Sequence, residues 1–211
     1  MNEWQRNLLV SSVYILSILY VFSRITEDLD NFISIEFDRD SFNEQLEKQE
    51  IADALDIDFS FSSLYRPDAI KDLRLTIANN SEHKSMYINW EQCTITDFYG
   101  QSRRVIRLIP GMDLDLSQAQ VFGVAAPGQS LTEKVVAEES LKRNSDGILS
   151  VVKPLFNPGN LRSASEENSI FTFRLVIELA GSAVDSRSGN IHALQCNFLV
   201  KKPPMQKRLI W

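Results

Sequence analysis

Residues 73–110 read LRLTIANNSEHKSMYINWEQCTITDFYGQSRRVIRLIP, and the alternation inside this stretch decides the fold class. Leu73, Leu75 and Ile77 alternate with Arg74, Thr76 and Ala78, the period of two expected of a strand with one buried face. Asn79-Asn80-Ser81 ends it with residues that tolerate left-handed backbone and bond their own main chain, which predicts a turn. Met86, Ile88 and Trp90 alternate with Tyr87, Asn89 and Glu91, predicting a second strand antiparallel to the first. Asp97-Phe98-Tyr99-Gly100 supplies the next turn, with Gly100 free to take positive φ. Arg103 to Ile109 resumes as a strand that Pro110-Gly111 closes. An arginine on each of its faces predicts a sheet edge, or side chains that snorkel past apolar neighbours; a salt bridge from this arginine pair to Asp97 is also expected.

The same period recurs on both sides of this stretch. Ile33, Ile35 and Phe37 predict a short strand, and Leu55, Ile57, Phe59 and Phe61 a stronger one. Between them, Ser41 with Glu44 three residues on has the form of a capping box, so a helix is expected over Phe42–Ala54. Further strands are expected over Gln120–Ala125, Leu131–Val136 and Ile148–Val152. A charged loop with one helical turn is expected over Glu138–Asp146, and a polar excursion over Asn157–Asn168. Two long strands finish the pattern. Phe171, Phe173, Leu175, Ile177 and Leu179 share one face of the first; Leu194, Cys196, Phe198 and Val200 share one face of the second, after a turn near Ser188-Gly189. Short strands at regular spacing with turn residues between them predict an all-β chain, an immunoglobulin-like β-sandwich.

The amino terminus is of another kind. Asn7 to Ser23 holds no charged side chain. The span between Arg6 and Arg24 is about 17 residues, at the lower limit for a transmembrane helix. Trp4 and Tyr20 sit where aromatic rings favour the membrane interface. A cleaved signal peptide is the alternative, but Ser23-Arg24-Ile25-Thr26-Glu27 offers no small-x-small cleavage pattern, so an uncleaved single-pass anchor is expected. Arg6 on one side, with Arg24 and Arg39 on the other, leaves the side of the soluble domain undetermined. The expected divisions are an anchor helix over 1–25, a connecting segment with a short strand and helix over 26–54, the sandwich over 55–200 and a basic tail over 201–211.

The 211 residues carry a formal charge of -6, and the pI is near 5.0. The last eleven contain Lys201, Lys202, Lys207 and Arg208 and no acidic side chain. Taking those four charges from -6 leaves -10 on the first 200 residues. An acidic domain argues against nucleic acid as a partner, because that interaction needs a basic surface.

Ile88-Asn89-Trp90, Asp97, Gly100 and Ser102-Arg103-Arg104-Val105-Ile106 together resemble a segment recurring in uncharacterised bacterial β-sandwich proteins. With the apolar helix before it and Ala126-Pro127-Gly128-Gln129-Ser130-Leu131 after it, the chain resembles uncharacterised membrane-anchored β-sandwich proteins of cyanobacteria. The resemblance implies a fold and a location, and carries no activity with it.

Residues that could do chemistry are few. The two cysteines, Cys93 and Cys196, are too few for a disulfide framework, though a single bridge between them and two buried thiols both remain open. Trp90 precedes both, whereas immunoglobulin domains place the tryptophan between the paired cysteines. His83 falls in a turn and His192 near the start of the last strand; nothing marks a catalytic triad or a zinc site around them. The acidic pairs Asp38/Asp40, Asp56/Asp58 and Asp113/Asp115 read as solvated faces rather than calcium loops, with Asp113 and Asp115 the nearest to a metal site. No cofactor is expected.

The expected function is therefore a non-enzymatic binding or assembly module for a membrane protein complex. Its partners would be the membrane, through the amino-terminal helix, and another membrane protein. Trp90, Arg103, Arg104, Lys207, Arg208 and Trp211 are the candidate contacts. An envelope hydrolase with a loop-based site and a lipid- or small-ligand-binding sandwich are the rival readings.

Overall fold

The computed structural model describes residues 2–30, 32–109, 116, 118–145, 149–181 and 190–203, with side chains described outside 25–30. It opens with helix α1 (Glu3–Asp30), whose section Glu3–Arg24 has a mean hydropathy of 1.4 and buries none of its side chains in the protein. At 1.5 Å per residue those 22 residues span about 33 Å, against roughly 30 Å for a bilayer core. The helix is long and apolar enough to cross a membrane, a property that anchors and leader sequences share.

The remainder is mostly antiparallel sheet. In order it comprises β1 (Ser34–Phe37), α2 (Arg39–Lys48), β2 (Leu55–Phe59), β3 (Leu73–Asn79), β4 (Lys84–Ile88), β5 (Thr94–Thr96), β6 (Ser102–Arg107), β7 (Gly123–Ala125), β8 (Ser130–Ala137), β9 (Leu141–Arg143), β10 (Leu149–Val151), α3 (Pro158–Glu167), β11 (Ile170–Gly181) and β12 (Asn190–Lys201). The main path runs β1-β12-β11-β5-β6-β8-β3-β2; β4 joins β11 beside β5, and β7 joins β4. The two ends of that path come back together. Phe37 of β1 lies 5.0 Å from Phe59 of β2, and Arg39 reaches across to Asp56 (3.2 Å) and Asp58 (2.9 Å). The result is nearly a barrel, filled by phenylalanines. Phe198 alone packs against Phe37, Phe59, Phe61 and Phe171 at 4.7–5.4 Å.

Several expectations are corrected here. The strand carrying Arg103 and Arg104 is not a sheet edge: its first half pairs with β5 and its second with β8. A strand that crosses between layers changes which face is inside, so Val105 and Ile106 are both buried. Nor do β3 and β4 form a hairpin. β4 crosses to pair with β11, and buried Asn79 ties the crossing together by donating from Nδ2 to the carbonyls of Lys84 (2.8 Å) and Ala125 (2.9 Å). Trp90 lies beyond β4, in a 3-10 turn (Trp90–Gln92).

The connecting segment has its expected short strand and helix, and both belong to the core. β1 pairs with β12, and Ile33, Ile35, Phe42, Leu46 and Ile51 are buried with the rest. Helix α2 starts earlier than Ser41 because Asp38 is its cap, its carboxylate accepting from Ser41 N at 3.1 Å. The stretch expected to be a polar excursion contains α3. Asn157 caps it by accepting from Gly159 N (2.9 Å), Pro158 occupies the first turn, and Asn168 ends it in the left-handed conformation.

Beyond its two buried positions, α2 has a second use. β1 covers β12 only from Phe198 to Lys201, which leaves the earlier part of that edge open. Gln45 closes it like a strand residue: its amide donates to Gln195 O (2.9 Å) and its carbonyl accepts from Gln195 N (2.9 Å). Gln49 donates to Ala193 O at 3.3 Å. Covering an edge in this way blocks pairing with other chains.

Candidate interaction surface

The arginines of β6 were the leading contact candidates, and each is already engaged. Arg103, 18% exposed, bonds Asp97 (2.5 Å), Glu139 (2.7 Å) and the Leu155 carbonyl (3.1 Å). The salt bridge to Asp97 is as expected. Asp97 also accepts from Tyr99 N and Gln101 N, both at 3.0 Å, so it organises the turn in which Gly100 takes φ +79°. Arg104 donates to both oxygens of Glu91 (2.6 and 2.9 Å) and to the Leu116 carbonyl, with Glu138 at 3.5 Å. The hydrogen bond from Arg104 is the main reason that the Glu91 carboxyl is held below its ordinary pKa, and the same bond raises that of Arg104. Arg107, the third, bonds Glu133 at 3.0 Å and lies 5.9 Å over the Trp90 ring. These cations are therefore met within the domain, Arg103 and Arg104 by carboxylates of neighbouring turns and Arg107 by one of β8.

Trp90 is corrected as a contact residue, because it is fully buried. Its indole nitrogen lies beside Gly123, where an added Cβ would sit 2.9 Å away; it has no hydrogen-bond partner among the described residues. Gln120 fastens the segment from outside the strands by donating to Val105 O (2.7 Å), while its backbone N–H donates to Glu91 (2.6 Å).

The cysteines are buried free thiols. Cys196 on β12 opposes Phe173 of β11, and Cys93 immediately precedes β5 on the other flank of β11. Two strand spacings, roughly 9.6 Å, separate those backbones, more than the ~7 Å a disulfide spans. Burial pushes the Cys93 thiol up to about 12 and that of Cys196 up as well, so neither forms a thiolate at neutral pH. His83 lies 3.7 Å from Glu82, and His192 Nδ1 lies 2.9 Å from Gln49 Oε1; neither partner is a serine or cysteine. Burial, with Lys84 second, lowers the His192 pKa. Among the described residues no group of three or more His, Cys, Asp or Glu could hold a metal ion. Asp113 and Asp115 lie outside the described residues. Asp56 and Asp58 answer Arg39, and Asp38 caps α2.

A recess of about 380 Å³ opens beside Arg103, lined also by Glu139, Ser140, Lys153 and Asn157. Its guanidinium is already held by two carboxylates.

What the sequence pattern did not single out is a mixed row on the outer face of the sheet, with exposed apolar residues at its two ends and half-buried Tyr87 and Glu178 between them. The register places Ile191, Glu178, Tyr87 and Val124 side by side across β12, β11, β4 and β7. Ile191 is 68% exposed and Val124 51%, and Phe122 and Val121, just before β7, are exposed as well. Paired residues of neighbouring strands share a face, so this row lies opposite the core-facing Ile177, Ile88 and Gly123. From Ile191 to Lys201 is ten residues of strand, about 33 Å. Since Lys201 pairs with Ser34, the patch is at the end of the sheet remote from the α1 junction. Signals for this patch existed in Phe122 and Val124 and in Ile191, but only the register brings them together. Lys207, Arg208 and Trp211 lie outside the described residues. No family model, no curated protein and no solved structure matches the chain.

Proposed function

We propose that this chain is a single-pass membrane-anchored protein whose β domain is a non-enzymatic binding or assembly module for a protein of the same membrane. One observation carries the reading: exposed Val121, Phe122 and Val124 at β7, with exposed Ile191 on the same outer row beyond Tyr87 and Glu178, at the end of the domain remote from an apolar, membrane-length helix. Exposed apolar patches on a folded domain mark contact surfaces. The contact is Tyr87, Val121, Phe122, Val124 and Ile191 rather than the β6 arginines, whose charges are met within the domain.

An immunoglobulin-like sandwich is part of the proposal. Its support is the strand order: β2-β3-β8-β6 follows one layer of such domains, and β4-β11-β12 the other, with a buried tryptophan following β4. Kinship with the membrane-anchored β-sandwich proteins of cyanobacteria would give the same location.

The test is extraction of native membranes in mild detergent, followed by size separation of wild type and of Val124→Glu and Ile191→Glu. Both positions are exposed, so these variants fold. Wild type in a defined complex with both variants released from it is the expected result. Wild type migrating alone, or variants that stay in the complex, would overturn the reading.

A further inference from the structure

Arg103 lines the recess of about 380 Å³, and the two carboxylates that meet it are unequal. Asp97 is 5% exposed and also accepts from Tyr99 N and Gln101 N, so it belongs to its turn and stays there. Glu139 is 59% exposed, sits in a 3-10 turn (Glu138–Ser140) and meets Arg103 Nη1 at 2.7 Å. An ion pair with so exposed a partner is worth at most about five-fold in an equilibrium constant, so an outside carboxylate replaces it at small cost.

The walls, by contrast, are fixed. The Ser140 carbonyl accepts from Val152 N (2.9 Å) and Lys153 N (3.3 Å), which seats the Lys153 backbone at the rim. Leu155 donates from its N to Ile70 O (2.7 Å), and its carbonyl accepts from Arg103 Nη1 (3.1 Å). Buried Phe156 packs on Phe98 and Phe171. Lys153 is exposed, and among the described residues no carboxylate pairs with its ammonium. With Glu139 turned to solvent, Arg103 and Lys153 face only Asp97, which leaves the recess short of a single negative charge. Pro154, Leu155 and Pro158 supply an apolar side. The volume is near the small end of the roughly 300–1,000 Å³ of ligand sites.

We propose that this recess binds a single carboxylate on a short apolar body, with Arg103 and Lys153 as its cations and Glu139 as the group it displaces. A peptide's carboxyl terminus and a small free carboxylic acid share that chemistry. The site is separate from the outer row: the turn of Asp97 follows Thr96, which pairs with Thr172, whereas Tyr87 pairs with Glu178 further along β11.

The full chain in detergent micelles is titrated calorimetrically with N-acetylleucine, with butyrate and with N-acetylleucinamide, which keeps the apolar body and lacks the charge. N-acetylleucine should bind and the amide should not. Butyrate binding alongside it identifies a free acid as sufficient; butyrate failing identifies a peptide end. Glu139→Gln removes the competing carboxylate and should tighten N-acetylleucine by up to about five-fold, while Lys153→Gln should weaken it by a similar factor. Both side chains are exposed, so these variants fold; Arg103 is left in place because it also holds the Asp97 turn. No binding of N-acetylleucine, equal binding of the amide, or one affinity in all three proteins would overturn the site.

Discussion

Gly123 stands where no side chain fits. A Cβ there would lie 2.9 Å from the Trp90 indole nitrogen, 3.1 Å from Leu131 and 3.3 Å from Ile88. All three neighbours are fixed in or against the core, so Gly123→Ala should destabilise the domain by about 1–3 kcal/mol, read as a lower denaturant midpoint. An unchanged midpoint would mean that the tryptophan has room to move. Glu91 gives a pH signature. Its folded pKa lies below the ordinary 4.5, so its contribution is complete above that value and is lost as pH falls through the folded pKa. Arg104→Gln removes the main cause of the shift. The variant should be less stable at neutral pH, and its gap from wild type should narrow in acid; a gap independent of pH would contradict the ion pair.

Among the elements, α2 carries the clearest test. Gln45→Ala deletes two bonds to Gln195 and reopens the edge of β12, at a cost of about 1–2 kcal/mol. Light scattering should show more self-association than for an equally destabilised variant elsewhere; equal scattering would deny α2 its covering role. Strands were the readable part of this chain because one buried face writes itself as a period of two. Leu55–Phe59, Leu73–Asn79, Ile170–Gly181 and Asn190–Lys201 all carry that mark. Their partners were not readable. β3 and β4 are neighbours in sequence, yet Asn79 sends them into different layers, and no local pattern announces a buried asparagine bonding two distant carbonyls. α3 was legible in principle, from Asn157-Pro158 at its start and Asn168 at its end, but its few apolar positions hid it. Of the arginines' partners only Asp97 was legible, because it lies six residues before Arg103 across one turn, whereas Glu91, Glu133 and Glu139 come from other elements. The outer row, in which Val124 and Ile191 flank Tyr87 and Glu178, needs four strands in register before it exists at all.

For the molecule as a whole, closure of the sheet depends on the phenylalanines shared between its first and last strands. Phe198→Ala removes the ring that meets both Phe37 of β1 and Phe59 of β2, and should cost about 3–5 kcal/mol in chemical denaturation. A loss below about 1 kcal/mol would show that the two ends are held by Arg39 and its carboxylates instead. The closed domain then stands between two surfaces, the helix junction at Ser34 and Lys201 and the outer row beginning at Ile191. The most direct test of the account is photo-crosslinking in intact membranes, with a photoreactive side chain in place of Val124 and, as a control, in place of exposed Glu82. The account predicts one defined membrane-protein adduct from position 124 and none from 82. Absence of an adduct at 124, or the same scatter of products from both positions, would contradict a partner surface on the outer row.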